Sequence, residues 1–89
     1  MAKSLMNKVR AALKEAVGAD ARIDLDVVPP NKIRGLVLSR SFTKQTPSER
    51  QDRIWKSLDK HLTGSERTRV VFIVTDTPDE YKALSRAAG

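Results

Sequence analysis

The sequence predicts an α+β fold: a two-layer α/β sandwich, elements in the order α-β-β-α-β-α, with helices covering one face of a three-stranded mixed sheet. Three observations point there. They are an amphipathic opening stripe, a strictly alternating segment broken by Pro-Pro, and two Thr-Pro capping sequences on either side of a short β-branched run. Eighty-nine residues, 39% hydrophobic and 31% charged, suit a single domain over residues 1–89 with one modest core.

Leu5, Val9, Ala12, Leu13, Ala16 and Val17 fall on one stripe of a helix, with Ser4 placed as N-cap and Gly18 as a left-handed terminator. The helix is expected from about Leu5 to Val17. Arg22-Ile23-Asp24-Leu25-Asp26-Val27 alternates like a strand with one buried face, and Pro29-Pro30-Asn31 turns it. The returning strand is expected from about Lys32 to Phe42. A tight turn with Val28 facing Lys32 pairs Ile23, Leu25 and Val27 with Val37, Gly35 and Ile33 on the core side. The same register sets Asp26 opposite Arg34 and Asp24 opposite Leu36 on the other side, the former as a cross-strand ion pair.

Thr46-Pro47-Ser48-Glu49 is a capping box with proline at the first helical position. The helix it opens places Ile54, Trp55, Leu58 and Leu62 on its apolar side and is expected to close at Gly64. Val70 to Val74 is β-branched, apolar and short, the pattern of a well-buried strand. Thr77-Pro78-Asp79-Glu80 repeats the capping sequence and starts a final helix, from about Pro78 to Ala88.

Composition excludes several function classes. With no cysteine there are no disulfides, thiolate nucleophiles or thiolate-ligated clusters. No leader-like apolar segment follows Met1, and no apolar run approaches the roughly 18 residues of a membrane span, so a cytoplasmic protein is expected. Catalysis has little support: there is no Gly-rich phosphate loop, no Ser-His or Cys-His pairing, and Asp24 and Asp26 read as a solvated strand face. The expectation is that the chain is not an enzyme. His61, the sole histidine, sits in the last turn of its helix with no converging ligands, which reads as helix capping or plain exposure. No metal and no cofactor are expected.

Net charge is +6, and it is unevenly spread. No acidic residue occurs from Val27 to Ser48, whereas the four basic and four acidic side chains after Gly64 cancel. Lys32, Arg34, Arg40, Lys44, Arg50 and Arg53 are therefore candidates for one basic edge that neutralises nucleic-acid phosphates. Against that, Thr43-Lys44-Gln45-Thr46 lacks the glycines of a backbone clamp, and Phe42, Trp55, Phe72 and Tyr81 all fit core or strand roles.

Three segments resemble a known family. Val37-Leu38-Ser39-Arg40-Ser41-Phe42 is similar to a second strand that runs into serine and phenylalanine. Arg50 to Leu58 is similar to the helix motif Arg-His-Arg-x-Val-Tyr-x-x-Leu, and Thr75 to Tyr81 to the closing motif Thr-x-Thr-Pro-Glu-Glu-Trp. In this order and spacing, over about Leu5 to Tyr81, the chain resembles the BolA-like family of stress-associated regulators, a variant of the type II KH topology. The resemblance implies that fold and a regulatory role. Relatives that share a [2Fe-2S] cluster with a glutaredoxin use a histidine at the start of the last strand and a cysteine or histidine from the first strand–strand loop. Here Arg69 and Val28-Pro29-Pro30-Asn31 occupy those positions, and Gln51 replaces the helix histidine. The resemblance thus carries the fold but not the cluster.

Two functions follow as expectations. In the first, the sheet face left bare by the helices carries Leu36 and Leu38 between Arg34 and Arg40, joined by one alternating set of the last strand, and binds another protein or a second copy. That requires the final helix not to fold back over the strip. In the second, the basic edge binds RNA or DNA without sequence preference.

Overall fold

The computed structural model describes residues 2–88. Helix α1 runs Ala2–Val17, strand β1 Arg22–Val28, strand β2 Lys32–Leu38, helix α2 Pro47–His61, helix α3 Gly64–Arg67, strand β3 Val70–Asp76 and helix α4 Pro78–Ala88. A single 3-10 turn, Arg40–Phe42, lies between β2 and α2. The α-β-β-α-β-α order holds, with α3 and the 3-10 turn as additions too short for hydrophobic periodicity to reveal.

β1 pairs antiparallel with β2, and β3 adds parallel to β2, giving a mixed sheet in the order β1-β2-β3. The hairpin register is the expected one, from Arg22 opposite Leu38 to Val28 opposite Lys32. Alternation then sends Ile33, Gly35 and Val37 to the helix side of β2, and Lys32, Arg34, Leu36 and Leu38 to the other. At Gly35 a Cβ would lie 2.7 Å from Leu25 Cδ2 and 3.0 Å from Ile73 Cδ1, so its neighbours close over bare backbone. Val27 shares the core side by register but is exposed, since it sits at the end of the sheet beside the turn.

α1 and α2 pack together on one face of this sheet. Leu5, Val9, Leu13, Ile54 and Leu58 meet Ile23, Ile33, Val37 and Ile73 in one continuous core. Fully burying each such side chain contributes about 1.5–3 kcal/mol, which is why the two long helices hold this face.

Local signals set most boundaries. Gly18, at φ +100°, ends α1 in a conformation that side-chain-bearing residues avoid, and its N–H bonds Lys14 O at 2.7 Å. Thr46 and Glu49 cap α2 reciprocally, at 3.2 Å and 2.8 Å, and Thr77 and Glu80 do the same for α4.

Three boundaries differ from expectation. α1 already begins at Ala2, so Ser4 lies inside the helix and is not its cap; alanine and lysine are good helix formers. β2 stops at Leu38 because the Ser39 hydroxyl accepts from Ser41 N at 3.1 Å and turns the chain into the 3-10 segment. Phe42 therefore leaves the sheet and is buried in the core. α2 ends at His61, and Gly64 opens α3 instead of closing α2, because Thr63 and Glu66 form a third capping box. Among the described residues no helix is long and apolar enough to cross a membrane.

Candidate functional site

The sheet face opposite the helices is built by β2 and β3 together. The parallel pairing sets Arg34 beside Phe72, Leu36 beside Val74, and Leu38 beside Asp76. A bulge between Ile33 and Arg34 shifts the parity of β3, so Val70, Ile73 and Thr75 turn to the core and Phe72 and Val74 turn outward. Phe72 is 48% exposed and Val74 41%. Phe72 thus has the strand role expected of it but not a core one.

α4 stands along this face and contributes Tyr81 and Leu84, the latter 61% exposed. Between helix and sheet lies a groove of about 490 Å³ with Leu36, Phe72, Val74 and Leu84 as apolar lining. Three carboxylates, Asp24, Asp26 and Asp76, and one cation, Arg34, line it as well. Arg34 and Asp26 form the expected cross-strand pair at 3.9 Å, so exposed that it adds little to stability. Among the described residues the lining is net negative, on a chain of charge +6.

Of the two leucines expected on an open strip, Leu36 is there. Leu38 is not: at 6% exposure it lies under the start of α4, beside Pro78 and Tyr81. The final helix covers one end of the strip and leaves the rest open. Sequence reasoning could not choose which set of β3 faced outward, because five consecutive apolar residues carry no alternation. Leu84 was readable only as the residue three beyond Tyr81 on the final helix.

The six basic candidates do not form one edge. Arg50 is 5% exposed and turned inward. It donates to Gln45 O at 3.0 Å and Thr75 O at 3.3 Å, and to both Glu80 oxygens at 2.7 and 3.1 Å. That guanidinium, followed by the Thr77 N–H, holds the Glu80 carboxyl down to about 2. Arg53 donates to Ala16 O at 2.8 Å, Ser41 Oγ at 3.1 Å and Gln45 Oε1 at 3.0 Å. Both guanidinium carbons stand over the Phe42 ring, at 5.6 and 5.7 Å from its centre. These two arginines tie the loop before α2 to the rest of the fold. Lys32, Arg34, Arg40 and Lys44 remain on the surface, and Lys32 and Arg40 flank opposite ends of β2, about 20 Å of strand.

A second cavity, about 530 Å³, opens where the start of β1, the end of β2 and the first turns of α4 meet. Arg22, Arg40, Lys82 and Asp20 supply its charges, and Ala21, Leu38, Pro78 and Tyr81 its apolar side.

The positions that the BolA-like resemblance assigns to iron ligands do come together. Ile33 N bonds Arg69 O at 2.7 Å, and Arg69 Nε donates to Asn31 O at 3.3 Å, linking the start of β3 to the β1–β2 turn. The donor set does not fit a cluster. A guanidinium stays protonated and cannot ligate iron, and the turn offers neither thiolate nor imidazole. Among the described residues no three histidine, aspartate or glutamate side chains gather as a metal site. His61 lies at the end of α2 and pairs with Glu15 of α1; that contact, with Lys60 at 3.0 Å, keeps the Glu15 carboxyl below its ordinary range.

No protein-family model and no curated protein matches this chain. Among solved structures, a Bol-like protein from Babesia bovis is similar, with a TM-score of 0.57 at 13% identity, covering 89% of this chain and 91% of that one. The likeness is one of fold, and it agrees with the BolA-like arrangement that the three sequence segments imply.

Proposed function

We propose that this chain is a non-enzymatic regulatory or adaptor module that binds another protein through the groove between α4 and the open sheet face. The carrying observation is the apolar lining of Leu36, Phe72, Val74 and Leu84, set among three carboxylates and one guanidinium. Apolar surface rimmed by charge is what partner proteins cover. Its sign selects the partner: an apolar segment flanked by lysine or arginine meets complementary charge, whereas a second copy brings three more carboxylates against these three. The carboxylates that line the groove are strand-face groups spread over β1 and β3, and among the described residues no histidine or serine lines it with them. With Arg69 and the Val28-Pro29-Pro30-Asn31 turn in the cluster positions, the partner is not recruited through iron.

A photo-crosslinking residue at position 72, used in cells, identifies the partner, and calorimetry on the purified pair measures it. Leu36→Asp and Phe72→Asp should each weaken binding about thirtyfold or more, the size of a central interface residue, and leave the melting midpoint nearly unchanged. Unchanged affinity in both variants refutes the groove. The nucleic-acid alternative is settled by titrating mixed RNA and single-stranded DNA oligomers at increasing salt. Micromolar binding with a slope of several charges, lost in Lys44→Glu, replaces the protein-contact reading with that one.

A further inference from the structure

We propose that the cavity between β1, β2 and the first turns of α4 binds a small phosphate-bearing molecule with a ring-sized apolar body, of the nucleoside monophosphate class. The cavity shares Tyr81 with the groove on the open sheet face and is otherwise lined by different residues.

Size comes first. At about 530 Å³ the cavity is within the range of pockets that enclose small ligands, roughly 300–1,000 Å³. It is also bounded by elements rather than by one loop, with walls from β1, the end of β2 and α4. Leu38, Pro78 and Tyr81 give it an apolar and aromatic side, and Leu38 is too buried to serve any larger surface.

Charge comes second. Arg40 and Lys82 enter from two elements, and neither has an ion-pair partner among the described residues. Arg22, the third cation, spends its Nε on Asp24 at 3.0 Å but keeps its terminal nitrogens. Two unpartnered cations beside an apolar wall match a dianion attached to a ring. The one acidic lining residue, Asp20, repels the phosphate end and accepts from hydroxyl or amine donors, as a sugar or base supplies. A bare anion leaves the aromatic side unused, and a neutral ring leaves the cations unused.

AMP titrated into the full-length chain, by calorimetry and by amide chemical-shift mapping, tests this against adenosine and inorganic phosphate alone. One saturable site is expected, with shifts centred on Ala21, Arg40 and Tyr81 and an affinity at least about tenfold above either fragment. Arg40→Glu and Lys82→Glu should each weaken AMP about tenfold or more, the loss of one charge-assisted contact, while Lys44→Glu, exposed and outside the cavity, changes nothing. Both cations are exposed, so melting curves of these variants should overlay the parent and exclude misfolding as the cause. AMP no tighter than its fragments, no saturation at millimolar ligand, or equal weakening by Lys44→Glu each overturns the proposal. The last outcome means only a diffuse basic surface.

Discussion

Replacing Arg50 with methionine separates a structural arginine from a binding one. Methionine keeps an unbranched stem of similar reach and removes every donor. The Thr75 carbonyl, in buried surroundings, then loses its guanidinium partner, and the Gln45 carbonyl loses another. A buried acceptor left unpaired costs about 1–3 kcal/mol, and the lost stacking over Phe42 adds about 0.5–1 kcal/mol. We expect about 3 kcal/mol in all, which for a domain of this length lowers the melting midpoint by about 15 °C. The Glu80 carboxyl should also climb from about 2 toward its ordinary value, and stop short of it because the Thr77 N–H remains. Thermal melts by circular dichroism and side-chain carboxyl titration by NMR read the two effects. Arg40→Met is the control: an exposed side chain on an adjoining segment, expected to change stability by no more than about 0.5 kcal/mol. If Arg50→Met melts with Arg40→Met, or the Glu80 titration does not move, Arg50 is not the clamp described here and returns to the surface candidates.

Further outcomes follow from two other features. Gly18→Ala should cost about 1–2 kcal/mol in a urea titration, because alanine is strained at φ +100° and its Cβ would stand 3.1 Å from Asp20 Oδ1; an unchanged midpoint refutes the terminator role. Acid should destabilise the fold over a defined window. Glu80 is depressed by Arg50, Glu15 by His61, Glu66 by Lys8 and Glu49 by the Thr46 N–H, so each binds its proton less readily folded than unfolded. Their contribution is present above about 4.5 and is lost as pH falls through each folded-state value, which for Glu80 is about 2. Midpoints should be level near neutrality and decline below about pH 5, with Glu80→Gln shallower at the acid end; a flat profile down to pH 2.5 contradicts the assignment.

The hairpin was legible to the residue because strict alternation in β1 and a short proline turn leave one register that keeps every apolar residue of one parity together. The caps at Thr46 and Thr77 were legible because their chemistry is local. What escaped was set by distance in space. Nothing near Arg50 or Arg53 in sequence announces that their partners are Thr75, Glu80 and Ala16, so charge alone placed them outside. The outward turn of Phe72 depends on a bulge opposite β2, a property of the pairing and not of either strand. Leu38 followed its parity correctly and was still buried, because α4 begins above it.

The outer margin of β3 has a further consequence. A sheet edge ordinarily presents spare carbonyls to which a foreign chain can add itself. Here Gln51 Nε2 donates to Ile73 O at 2.8 Å and Arg50 to Thr75 O, while the Gln51 oxygen is held by Trp55 Nε1 at 2.9 Å. α2 thus reaches round the margin and answers its acceptors with side chains, as a neighbouring strand would with backbone. The sheet is thereby closed on its β3 side. Growth by strand addition at that edge, in a partner complex or in an aggregate, would first have to strip away two side chains that the domain needs for its own cohesion.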